Sequence, residues 1–397
     1  MFDVSPMPGD PILALMAAYR EDDSPNKVDL GVGVYQDDDG NTPVLRAVAH
    51  AEQRLLESQT TKSYVGIAGF EDFNGQMQAM LFGERHAALA DRRVTTVQTA
   101  GGSGGLRVAG ELIASLRPDA TIWVPTPTWA NHTPLLGSTG LELKSVRYYD
   151  TATGELDADG LIEDVANIPE GDVLLLHGCC HNPTGADLTP ELWQALTEIC
   201  VRNRLLPFVD TAYQGFADGL EQDAAGVRYM AEHVPEMLAV NSCSKNFGLY
   251  RERTGALCAL ASSETDARAV RTHLMKITRS MISMPPDHGA RIVATILGDA
   301  QLKSVWLDEL GAMRDRMAQQ RRDFVSALEA YGLADRFGFV ARQTGMFSLL
   351  GIDREVIDRL RDEWHVYIVG SSRINVAGLT ASKVAYIAEA LAATIAA

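Results

Sequence analysis

Between residues 93 and 261 short apolar runs alternate with helix-like stretches, a rhythm that restricts the chain to very few folds. RRVTTVQT, TIWVP, DVLLLHGC, LLPFVD, MLAVNSCS and GALCALA each suit one strand and are too short for a substantial helix. Most are apolar nearly throughout instead of alternately, the pattern of strands buried on both faces. Between them, LRVAGELIASLR and LTPELWQALTEICVRNR carry apolar residues at helical spacing. Thr189 followed by Pro190 opens the second of these as a cap and first-turn pair. The alternation predicts an α/β fold with a mainly parallel sheet covered by helices on both sides.

The C-terminal part changes character. A helix is predicted from about Leu302 to Tyr331, closed by Gly332. FGFVARQTGMFSLLGI and YIVGSSRINVAG then read as strands before a final helix. We expect a large domain over residues 41–304, and a smaller α+β domain built from 305–397 with residues 1–40 as an N-terminal arm.

The chain has 397 residues, with 52 acidic and 35 basic side chains and a net charge of −17. A surface of that sign repels phosphate backbones and anionic lipid, so no nucleic-acid or membrane partner is expected. No apolar run reaches the roughly 20 residues that span a bilayer. The N-terminus MFDVSPMPGDPILALMAAYR lacks the basic region that precedes the apolar stretch of a secretion signal. Five cysteines, two of them adjacent and none in CxxC spacing, indicate neither a disulfide framework nor a zinc or other metal site. A reducing, cytoplasmic location fits them best.

Ligands of doubly wound sheets bind beyond the carboxyl ends of the strands. Gly101 to Gly105 lie at such an end, read here as a glycine-rich turn leading into a helix whose free N–H groups and dipole favour a phosphate. The lysine of a nucleotide-binding P-loop is missing, no dinucleotide fingerprint is convincing, and the segment can equally be a tight turn. Asp210 ends LLPFVD with Tyr213 three residues on, though an aspartate there is more often a helix cap than a catalyst. Lys245 follows MLAVNSCS. A lone lysine is usually a solvated surface group, but one at a strand end among hydroxyls and near an arginine is a candidate amine nucleophile.

HNPTG at 181–185, DTAYQGF at 210–216, SCSKNFGLYRERTG at 242–255 and SRINVAG at 372–378 occur in that order. With LGVGVYQDDDGNTPVLRAV near the start and PPDHGARIVATIL further on, they make the whole chain resemble the aspartate and aromatic amino-acid aminotransferases, class I members of the fold-type I pyridoxal-phosphate enzymes. The resemblance implies a mainly parallel seven-stranded sheet sandwiched by helices, a smaller α+β domain, and pyridoxal 5′-phosphate as cofactor. It implies that Lys245 bonds covalently to the cofactor and later carries the substrate α-proton. Asp210 would face the pyridine nitrogen with His132 behind it, Asn182 and Tyr213 would reach the ring oxygen, and Trp129 would stack on the ring. Ser103, Gly104, Ser242, Ser244 and Arg253 would hold the phosphate, joined by Tyr64 from the other subunit of a homodimer. Arg373 would grip the substrate α-carboxylate beside Gly33, Phe347, Trp129 and Asn182. Arg279, again from the other subunit, would bind a distal carboxylate.

The implied reaction is ping-pong transamination between acidic or aromatic L-amino acids and 2-oxo acids such as 2-oxoglutarate and oxaloacetate. Members restricted to dicarboxylates tend to carry asparagine where this chain has Ser63 and Met284, and threonine where it has Ser103. Val34 and Thr42 follow the aspartate pattern, so dual acidic and aromatic specificity is expected, with restriction to dicarboxylates as the alternative. A lyase or decarboxylase on the same fold is more remote, because two arginines suit a substrate with two acid groups.

Overall fold

The computed structural model describes every residue except Met1, Asp3, Pro8 and Ala397; the first three belong to the stretch MFDVSPMPGDPILALMAAYR, so the expectation about a secretion signal falls partly outside the described residues. Its centre is a seven-stranded sheet of β1 (Val94–Ala100), β2 (Thr121–Thr126), β3 (Glu142–Arg147), β4 (Val173–His177), β5 (Leu206–Thr211), β6 (Met237–Ser242) and β7 (Thr254–Leu260). They lie in the order β1-β7-β6-β5-β4-β2-β3. Only β7 runs against its neighbours β1 and β6; every other pairing is parallel.

Every residue of β4, β6 and β7 is buried, and successive side chains serve opposite layers. Leu174, Leu176 and Val209 pack with Trp193 and Leu196 of the helix Pro190–Arg202. Leu175, Phe208, Val240 and Leu257 pack with Leu106, Ala109 and Leu112 of the helix Gly101–Leu116. Each such apolar side chain contributes about 2 kcal/mol of transfer free energy, so both faces must stay covered. Six strands match those read from the sequence. The seventh, β3, carries Glu142, Lys144 and Arg147 at the sheet edge, and its charged pattern hides it.

Two expectations need correction. The glycine run is not a turn but the first turns of the helix Gly101–Leu116. Gly105 lets that helix approach the sheet, since an added Cβ would stand 2.7 Å from Val240 Cγ1. The segment FGFVARQTGMFSLLGI begins at the end of the short helix Ala334–Phe337, continues as the helical turn Gly338–Arg342, and is a strand only at Phe347–Leu349. Phe337, Phe339 and Val340 are core residues there, and the carbonyls of Val340, Thr344 and Gly345 accept from Arg321 instead of from a neighbouring strand.

The strand Phe347–Leu349 pairs antiparallel with Arg373–Asn375, the only strand-like part of YIVGSSRINVAG besides Val366–Tyr367. Val28–Asp29 joins Val366–Tyr367 in parallel, so the N-terminal segment does pack on the C-terminal part. The long helix runs Ala300–Glu329, two residues earlier than read at each end. Among the described residues no helix is long and apolar enough to cross a membrane.

Candidate active site

Strand pairing brings the polar strand ends together. His177 of β4 stands opposite Asp210 of β5, and Thr211 opposite Asn241, one residue before Ser242. The result is a cleft of about 220 Å³ lined by Lys245, Asp210, Tyr213, Asn182 and Trp129 in its middle and by Ser103, Ser242, Ser244 and Arg253 at the phosphate-type end. Gly33 closes another side.

Asp210 is buried and its Oδ2 accepts from His132 Nε2 at 3.0 Å. Thr128 Oγ1 lies 2.8 Å from His132 Nδ1 and 2.9 Å from His177 Nε2, so the carboxylate ends a chain of polar groups with no free partner. Burial alone would raise the Asp210 carboxyl, but the His132 hydrogen bond and nearby positive charge, Lys245 included, hold it below the usual carboxylate range. It is therefore an anion in a largely dry place, not a helix cap. Burial drives His177 down to about 3, leaving it neutral.

Lys245 Nζ sits 4.9 Å from the Tyr213 ring centroid. Desolvation lowers its pKa to about 8; the Asp210 charge opposes that, and Arg253 and Arg373 add to it. A neutral amine is thus accessible near physiological pH. We expect Lys245 in the cofactor-free chain to condense with a small aldehyde with a midpoint of about 8, not the ordinary 10.5. Asp210→Asn should lower that midpoint further, because the anion favours the ammonium form; an upward move in a pH-resolved labelling experiment would contradict this account.

At the other end Ser242 Oγ donates to Ser244 Oγ at 3.1 Å, and Arg253 Nη1 lies 3.5 Å from Ser244 Oγ. A Cβ on Gly101 would come 2.7 Å from Arg253 Nη2, and one on Gly102 would meet Ser242 Cβ at 3.1 Å. Two bare glycines at a helix start, with hydroxyls and a guanidinium converging on them, form an anion cradle. Arg373 is buried at the cleft margin. Its Nη2 donates to the Gly31 carbonyl at 2.7 Å, its Nη1 is 3.5 Å from Asn182 Oδ1, and its guanidinium lies 4.2 Å from the Phe347 ring centroid.

Residues 25–391 match the family model for aminotransferase class I and II. The chain belongs to that family. An aromatic-amino-acid aminotransferase from Pseudomonas aeruginosa is 47% identical, over 98% of this chain and 97% of its own. An aspartate aminotransferase from Escherichia coli is 46% identical with full coverage of both chains. The solved aromatic-amino-acid aminotransferase from Burkholderia pseudomallei, covalently bound to pyridoxal phosphate, superposes with a TM-score of 0.97 at 39% identity, covering 99% of this chain and 98% of that one.

In this aminotransferase-family chain most residues singled out from the sequence converge on one cleft, but not all do. His132 stands behind Asp210 without lining the cleft, Gly104 lies one residue beyond the lining at Ser103, and Arg373 and Phe347 stand just outside it, beside Asn182 and Tyr213. Tyr64 is 90% exposed, and Arg279, bonded to Ser283, is exposed on the helix Glu264–Ile282, so neither joins this chain's own cleft. Sequence reasoning missed Tyr250, Thr128 and His177, which line or support the cleft. His177 had a usable signal, a polar residue ending an apolar strand; Tyr250 shares the Lys245 motif. Cys179, Cys180 and Asp223 also bring three ligand-type atoms together. The Asp223 carboxylate already accepts four backbone N–H groups, from Gly215, Ala217, Asp218 and Gly219, so it organises a loop.

Proposed function

We propose that the protein transfers amino groups between L-amino acids and 2-oxo acids, using pyridoxal 5′-phosphate and accepting both acidic and aromatic substrates. The observation that carries this is a lysine amine with suppressed charge in one cleft with a buried carboxylate and an anion cradle. These residues fit the cofactor: Lys245 for its aldehyde, Asp210 for its ring nitrogen, Ser103, Ser242, Ser244 and Arg253 for its phosphate, and Trp129, Asn182 and Tyr213 around the ring. When bound, the cofactor supplies an electron sink for the electrons released at the substrate α-carbon.

The chain's own residues do the rest. Lys245 Nζ, whose charged form burial disfavours so that the neutral amine is within reach, takes up and returns the α-proton. His132 holds the Asp210 carboxylate in place, and that anion stabilises positive charge opposite it. Arg373, with Asn182 beside it, offers a guanidinium fork for the α-carboxylate.

The reading includes a homodimer in which Tyr64 and Arg279 complete the neighbouring cleft. Support comes from their exposure and from the helix Pro11–Glu21, which has no buried residue and leaves Leu13 exposed, a face suited to a second copy. It also includes a small domain of residues 1–40 and 305–397 beside a large domain of 41–304, and a cytoplasmic location, which suits five free buried cysteines. Arg279→Ala should lower kcat/KM for aspartate and 2-oxoglutarate by about 100-fold while phenylalanine changes by about threefold or less. Equal losses would show that Arg279 reads no distal carboxylate. The deciding experiment follows cofactor absorbance as aspartate, glutamate, tyrosine, phenylalanine and tryptophan are added singly. Amine transfer from acidic and aromatic members supports the proposal, failure of every aromatic restricts the protein to dicarboxylates, and failure of all five removes transamination.

A further inference from the structure

The long helix Ala300–Glu329 sends one guanidinium into the interior. Arg321 is 1% exposed, and none of its hydrogen bonds goes to a carboxylate. Nη1 donates to Val340 O at 3.0 Å and Ser348 Oγ at 2.6 Å; Nη2 donates to Thr344 O at 2.8 Å, Gly345 O at 2.9 Å and Phe347 O at 2.7 Å. A buried cation with no carboxylate bonded to it is costly, and burial lowers its pKa to about 10 against the attraction of nearby Asp187. Five acceptors offset the cost only because the planar fork reaches all of them at once, which no lysine could do.

Two arms leave this hub and meet again at one residue. Along the first, Phe347 and Ser348 open the short strand paired with Arg373–Asn375, Leu349 lying opposite Arg373. Along the second, Thr344 Oγ1 donates to Asp187 Oδ2 at 2.6 Å, and its N–H donates to Gly185 O at 2.9 Å. Asp187 in turn accepts the N–H groups of Cys180 and His181 at 2.8 and 2.7 Å, directly before Asn182. Arg373 stands between the two ends, 4.2 Å from the Phe347 ring centroid and 3.5 Å from Asn182 Oδ1.

We propose that Arg321 is a positioning residue for substrate binding: by fixing Phe347 and the backbone before Asn182, it presets Arg373 for a carboxylate. The role rests on the reading in which Arg373 takes the substrate α-carboxylate. A preset guanidinium binds with less ordering cost than one that must be immobilised by the ligand.

The test uses holoenzyme carrying Arg321→Met, Arg321→Lys or Thr344→Val, and measures the affinity of unreactive succinate by calorimetry beside KM, kcat and the cofactor spectrum. Arg321→Met should weaken succinate and raise KM for amino and oxo acids by about tenfold, with kcat within about threefold and the spectrum unchanged. Arg321→Lys should recover part of the loss, and Thr344→Val, which cuts one arm, should weaken succinate by about threefold. Succinate affinity within about twofold of wild type in both Arg321→Met and Thr344→Val overturns the proposal, as does a parallel fall of kcat and cofactor binding. Should Arg321→Met not fold, Thr344→Val decides alone. Wild type that binds succinate with this dependence yet transaminates nothing would overturn the reaction and support the positioning role.

Discussion

Replacing Lys245 with alanine should lower transamination by about 10⁴-fold or more while leaving the fold and cofactor affinity measurable. The structure separates the two effects. The cradle of Ser103, Ser242, Ser244 and Arg253, together with Asp210 and its His132 support, remains intact when only the amine is removed. Lys245→Arg should fail almost as badly, because a guanidinium stays protonated and cannot accept the α-proton. A second signature is thermodynamic. The folded pKa of about 8 lies below the ordinary 10.5, so between those values the unfolded chain binds more protons than the folded one. Stability of the cofactor-free wild type should therefore rise with pH across that window, and Lys245→Ala should lose that part of the slope. Denaturant titrations at several pH values and single-turnover absorbance measure both effects; a variant with wild-type turnover sinks the assignment.

Much of this was legible beforehand, for reasons particular residues make plain. Strands such as β4 and β6 are apolar up to their carboxyl ends because both faces are covered, so Leu174 to Leu176 and Leu238 to Val240 declare themselves. β3 does not, since an edge strand facing water can carry Glu142 and Lys144. The segment at 337–349 misled because FGFV has the alternation of a strand, while the partner that satisfies its carbonyls, Arg321, is far away in sequence. Lys245 and Asp210 were found through ordered motifs, but their altered protonation is tertiary: it comes from burial and from His132 on a different element. Thr128 was invisible, and His177's place in the relay with it, because a two-bond relay is a property of geometry and not of spacing. Tyr64 and Arg279 mark the opposite limit: both were singled out by resemblance alone, and both are exposed and away from this chain's cleft.

Arg373→Lys should reduce kcat/KM for acidic and aromatic substrates alike by about 10²- to 10³-fold, mostly through KM, with the cofactor spectrum unchanged. The geometry explains why a conserved charge is insufficient. Arg373 uses Nη2 on the Gly31 carbonyl at 2.7 Å, keeps Nη1 near Asn182 and lays its plane 4.2 Å from the Phe347 ring centroid, while Nε has no protein partner. An ammonium cannot stack in that way, and one that stays on Gly31 has no second nitrogen for a carboxylate. Desolvation has already lowered the Arg373 pKa, so the site tolerates the charge only through these contacts and through an incoming anion. Because every amino acid brings an α-carboxylate, the loss should not depend on the side chain, in contrast to Arg279→Ala. Losses confined to aspartate and glutamate would move the distal-carboxylate role to Arg373 and leave the α-carboxylate without a partner in this cleft; unchanged kcat/KM for all substrates would remove Arg373 from substrate binding altogether.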